Sequence, residues 1–136
     1  MRLLIHTDGA ARGNPGPAGA GAVLRDPASG NVVAQIATYL GERTNNYAEW
    51  TAVALALEEA LLQGATHVDV RMDSELVARQ ISGRYRVKHS DLKPIHARVM
   101  SLLGRFEAYT VGHVPRELNR EADRLSNVAI DQLRSP

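Results

Sequence analysis

The chain has 136 residues, 44% of them hydrophobic and 23% charged, a composition that suits one soluble globular domain and excludes disorder. The absence of cysteine removes disulfides, thiolate zinc sites and cysteine nucleophiles together, and fits a reducing cytoplasm. A formal net charge of +1 gives no global pull toward nucleic acid, so such a partner has to be recognised by local sites.

The start, "MRLLIHTDG", lacks the long apolar core of a signal peptide, and no apolar run is long enough to cross a bilayer. "RLLIH" reads as a strand, and "TDGAARGNPGPAGAG", rich in Gly and Pro, as a loop. "AGAVLR" and "NVVAQIATYL" flank "DPASG" as a hairpin. Asn46 to Gln63 form a long helix stopped by Gly64. It is apolar nearly all round from Ala52 to Leu57, which requires cover on more than one side. "HVDVRM" alternates as a strand, and "SELVARQIS" is a short helix with Ser74 as N-cap and Gly83 closing it. After the polar stretch "GRYRVKHS", "DLKPIHARVMSLLGRF" is helical, with Pro94 in its first turn. "AYTVGHV" is a strand. "ELNREADRLSNVAIDQL" is a last helix with Leu118, Ala122, Leu125 and Ala129 at helical spacing. The order β-β-β-α-β-α-α-β-α predicts an α/β fold whose leading strands are antiparallel and whose later strands pair in parallel. No repeat divides the chain, so a single domain over residues 1–136 is expected, and a monomer is its default state.

Three acids stand at informative places. Asp8 follows "LLIHT" and Asp73 follows "VDVRM", each at the C-terminal end of a predicted strand, the edge where open α/β sheets bind ligands. Either alone reads as a turn or cap residue. Glu49 lies near the front of the first helix, where the dipole favours an acid. Yet helical spacing sets it on one stripe with Val53, Ala56 and Ala60, a costly position for an acid without a partner. A fourth acid, Asp123, shares a stripe of the last helix with Asn119, Ser126 and Ile130, at a boundary between core and solvent. Four carboxylates brought together repel, and a divalent cation relieves that repulsion. Oxygen ligands without Cys or several His favour Mg²⁺ or Mn²⁺. Two such ions about 4 Å apart suit phosphodiester cleavage by water.

"TDGAARGNPGPAGAG", "TNNYAEW", "MDSELV" and "NREADRLSN" resemble, in order and with one acid in each, the four signature blocks of type 1 ribonuclease H. The resemblance covers almost the whole chain. It implies a ribonuclease H-like fold, a five-stranded mixed sheet with helices on both faces. It also implies two-metal, Mg²⁺-dependent hydrolysis of the RNA strand of an RNA–DNA hybrid, leaving 5′-phosphate and 3′-hydroxyl ends, with Mn²⁺ as a substitute. The family's catalytic and metal-binding carboxylates map onto Asp8, Glu49, Asp73 and Asp123. Asp8 would bridge the ions, Glu49 and Asp73 completing one site and Asp123 the other. Gly13, Asn14, Asn45 and Asn46 match positions that read ribose hydroxyls. Without the resemblance, "GNPGP" is a plain turn and "NN" a helix cap.

Two readings stand for His113, ten positions before Asp123. It matches a mobile histidine that assists proton transfer or product release in bacterial relatives, or it packs on the last strand while Arg116 points to the site. Glu75 stands where some relatives carry a substrate-contacting amide, and that role is not carried over to an acid. The long basic handle of other bacterial members is missing. Arg84, Arg86, Lys88 and His89 remain, either as a solvated loop or as a reduced phosphate-contacting patch. Arg116, Arg120 and Arg124 fall on one predicted helical stripe, with pairing to Glu117 and Glu121 as the default. Two other functions stand beside the hybrid nuclease: a non-catalytic nucleic-acid-binding or regulatory domain, and a related nuclease acting also on double-stranded RNA.

Overall fold

The computed structural model describes residues 1–134. Ser135 and Pro136, which follow the last helix, lie outside the described residues. Strands β1 (Arg2–Ala11), β2 (Gly16–Arg25) and β3 (Val32–Arg43) form an antiparallel meander. Strands β4 (His67–Met72) and β5 (Ala108–His113) add in parallel on the other side of β1, giving the order β3-β2-β1-β4-β5. Helices α1 (Asn45–Leu62), α2 (Glu75–Ile81), α3 (Lys93–Leu103) and α4 (Arg120–Arg134) complete the expected order. No helix among the described residues is long and apolar enough to cross a membrane.

Local chemistry explains the helix boundaries. Thr44 caps α1, its hydroxyl accepting the Tyr47 N–H at 3.1 Å, so neither Asn45 nor Asn46 is the cap. Gly64, at φ +84°, adopts the left-handed conformation that ends α1. Ser74 caps α2 as expected, accepting from the Val77 N–H at 3.2 Å. Helix α1 is buried nearly all round because it lies between the sheet and α3, with the Trp50 ring edge-on to His96 at 5.3 Å. The larger core, with Leu3, Ile5, Leu24, Leu57 and Val70, fills this side of the sheet. Helix α4 covers the opposite face through Ala122, Leu125, Ala129 and Ile130.

Three expectations change. The Gly/Pro-rich stretch is mostly strand, and only residues 12–15 form the turn between β1 and β2. Its glycines mark close approach. A Cβ on Gly9 would lie 2.2 Å from the backbone of Ala48 and Glu49, and Cβ atoms on Gly19 and Gly21 would lie 2.3 Å from carbonyl oxygens of α4. Leu118 leaves the apolar stripe of the last helix, because residues Arg116–Leu118 form a separate 3₁₀ turn and Leu118 is 64% exposed. The same break takes Arg116 off the stripe of Arg120 and Arg124, and Glu121 pairs with Arg25 of β2 instead.

Candidate active site

Register sets the site. Thr7 and Met72 are the last parallel pair of β1 and β4, so Asp8 and Asp73 each stand one residue beyond it. Met72 also pairs with His113, which brings the end of β5 to the same level. Strand β1 continues past Asp8 only in its antiparallel pairing with β2, where Asp8 faces Gly21. Asp8 is therefore buried inside a strand, whereas Asp73 sits at a strand end. The bare backbone of Gly9 lets the first turn of α1 settle on β1, which brings Glu49 beside Asp8. Asp8, Glu49 and Asp73 each offer an oxygen, and the three oxygens lie within 4.8 Å of one another. Asp123 falls outside this tight group but borders the same cleft, and its charge acts on both Asp8 and Glu49.

Burial and crowding show in the protonation of the two hidden acids. Burial pushes the Glu49 carboxyl up to about 9, and the charges of Asp8, Asp73 and Asp123 add to it, against a hydrogen bond from the Gly9 backbone N–H. Burial likewise pushes Asp8 up to about 8, opposed by a hydrogen bond from the Ser126 hydroxyl at 2.8 Å. Glu49 Oε2 is buried without a hydrogen-bond partner. Three converging carboxylates, one with an unmatched oxygen, fit a hard divalent cation, which would take up the lone pairs and offset the repulsion.

The cleft has a volume of about 700 Å³ and is lined by these acids with Asn45, Asn46, His113 and Arg116 among others. His113 is exposed at its wall, so it is not packed into the core. Arg116 lines the cleft as well, and the two side chains are neighbours there rather than alternatives. At the turn, Gly13 has φ +102°. Asn14 Oδ1 accepts the Asn45 N–H at 3.0 Å, and Asn45 Oδ1 accepts the Ala11 N–H at 2.9 Å. Both amide oxygens thus brace the turn against α1, and the amide N–H groups are the donors left over. Asn46 lines the cleft and also a second hollow of about 470 Å³, which Asn14, Thr44, Gln80, Arg86, Lys88 and His89 help to line. Tyr85 of the same segment lies under the Arg79 guanidinium at 5.4 Å, and Arg79 pairs with Glu75.

Arg12, Asn127 and Gln80 were not singled out in the sequence. Arg12 and Asn127 line the cleft and Gln80 the second hollow. Their one legible signal is the placing of Asn127 one helical turn beyond Asp123.

The reverse transcriptase-like family matches residues 6–129. A ribonuclease H from Anaplasma marginale is 36% identical over 146 aligned positions, covering 96% of this chain and 92% of that protein. The chain belongs to the ribonuclease H family. Its ribonuclease H fold is shared with the solved structure of LC11-RNase H1 in complex with an RNA/DNA hybrid. The TM-score there is 0.92 at 43% identity, covering 98% of this chain and 99% of that one. The bifunctional protein Rv2228c of Mycobacterium tuberculosis is 43% identical over 131 residues, 96% of this chain but 36% of that protein. The chain thus spans about a third of the length of the first curated relatives it matches.

Proposed function

We propose that this ribonuclease H domain hydrolyses the RNA strand of RNA–DNA hybrids, leaving 5′-phosphate and 3′-hydroxyl ends, and that residues 1–136 act as one catalytic domain. The observation that carries the reading is the group of three carboxylates, Asp8, Glu49 and Asp73, within 4.8 Å of one another on the floor of an open cleft. The hybrid bound to LC11-RNase H1 supports the substrate class. Asp8 would be the ligand common to both ions, Glu49 and Asp73 would hold one of them, and Asp123 would help to hold the other. Two Mg²⁺ or Mn²⁺ ions held there would activate the attacking water and stabilise the leaving oxygen.

The chain's own groups do the rest. Asn45 and Asn46 offer amide donors at the cleft wall, and the turn at Gly13 and Asn14 lets a sugar-phosphate backbone come close. Glu49 accepts a hydrogen bond from a ribose 2′-hydroxyl, the group by which RNA is told from DNA. His113, on the cleft wall at the exposed end of β5, acts in proton transfer. Arg116 beside it offers fixed positive charge to a phosphate.

End-labelled RNA in a hybrid, beside single-stranded RNA, duplex RNA and duplex DNA, tests the reading with Mg²⁺, Mn²⁺ or chelator. Metal-dependent cutting of the hybrid RNA that Asp8→Asn abolishes is the expected result. Folded protein that cuts nothing with either metal would leave a non-catalytic binding or regulatory domain. Equal cutting of duplex RNA would widen the substrate class.

A further inference from the structure

We infer that Asn127, with its amide orientation fixed by Arg12, is the positioning residue for the Asp123 carboxylate; this rests on the proposed role of Asp123 as a metal ligand. Asp123 lies outside the three-acid group and half-buried at the rim of the cleft, with its carboxyl in hydrogen-bonding reach of Asp8 and its remaining contacts drawn from its own helix. Asn127 lies one helical turn further along α4. Its Nδ2 donates to the Asp123 carbonyl oxygen at 3.0 Å and reaches Asp123 Oδ1 at 3.4 Å. Its Oδ1 accepts from the Arg12 guanidinium at 3.2 Å. A guanidinium has donors and no acceptor, so the amide oxygen has to face Arg12. The NH₂ group is thereby turned toward Asp123.

The same Arg12 pairs with Asp131, another turn along α4, so it grips this helix at two points. Arg12 belongs to the turn that carries Gly13 and Asn14. The turn proposed to meet substrate and the acid proposed to hold a metal are therefore joined by one side-chain chain, Arg12 to Asn127 to Asp123. The contact spans 115 residues, so nothing in the local sequence announces it. Partners of this kind behind a metal ligand set its orientation, and their loss typically lowers metal affinity about 10- to 100-fold.

The test is Mn²⁺ binding to the full chain, followed by the resonance of unbound Mn²⁺, with the Mg²⁺ dependence of hybrid cleavage alongside. Asp123→Asn identifies the binding step that Asp123 supplies. Asn127→Leu is expected to weaken that step roughly tenfold and to raise the half-saturating Mg²⁺ equally, with the rate recovering at high Mg²⁺. Arg12→Ala is expected to give part of the same loss, Arg12→Lys to restore it, and the double variant to be no worse than Asn127→Leu alone. Wild-type Mn²⁺ binding by Asn127→Leu, or losses that simply add, would overturn the inference. Should Asn127→Leu not fold, Arg12→Ala with unchanged Mn²⁺ binding would do so. A binding step that survives Asp123→Asn would sink the role of Asp123 itself, whatever Asn127 does.

Discussion

Glu49 carries two opposed demands. As a buried acid it burdens the fold, and as one of three converging carboxylates it serves the site. In the metal-free protein, Asp8 and Glu49 hold protons up to about pH 8 and 9, where the unfolded chain has already lost them. The folded state then binds more protons than the unfolded one, so stability falls as pH rises. That contribution is whole below the ordinary carboxylate range near pH 4 and is lost as pH climbs through the raised values. Thermal melts in chelator are expected to show a falling Tm from pH 5 to 9, and added Mg²⁺ to restore it most at the alkaline end. A flat profile in chelator would contradict the burial of these charges. Glu49→Gln removes one of them, so its metal-free melt is expected to be higher than that of the parent at pH 8 and less dependent on pH. The same change is expected to lower kcat by at least the ~100-fold that losing a supporting partner costs at a metal site. The acids were legible because each sits in its own short block. Their partners were not: the Ser126 hydroxyl on Asp8 joins residues 118 apart, and helical spacing alone does not reveal it.

At the scale of elements, turn signals yielded the right order of strands and helices, because Gly64, Gly83 and Ser74 act locally. They misjudged β1 and β2, because glycine marks both turns and crowded strands. Which of the two applies depends on a helix from elsewhere in the chain, α1 over Gly9 and α4 over Gly19 and Gly21. Gly9→Ala forces a methyl into the backbone of α1 at 2.2 Å, and neither element can yield cheaply. The expected loss is about 1–3 kcal/mol in chemical denaturation, together with a higher half-saturating Mg²⁺, because Glu49 moves with the helix. Gly104→Ala is the control: its nearest contact is 3.5 Å away, and a change within about 0.5 kcal/mol is expected. Similar losses at both positions would mean that close approach is not what Gly9 provides.

For the whole molecule, the formal charge of +1 concealed a local asymmetry. The acids gather in one cleft, and Arg86, Lys88 and His89 gather with the single acid Asp91 at the hollow beside it, joined through Asn46. A hybrid lying across both would set its scissile strand over the acids and its phosphates against the basic side. Binding through a few phosphate contacts weakens linearly in log affinity with log salt, each contact adding a slope of roughly 0.9 on a duplex. Arg86→Ala with Lys88→Ala is therefore expected to lower the salt slope of hybrid binding by about 1–2 and to raise KM, leaving kcat at saturation nearly unchanged. Neither residue borders the acids, which is why the rate constant should be spared. Hybrid titrations at several salt concentrations measure the slope directly. An unchanged slope with a raised KM would point to lost packing of the segment after α2, while a fall in kcat would show that this hollow aligns the strand for cutting as well as holding it.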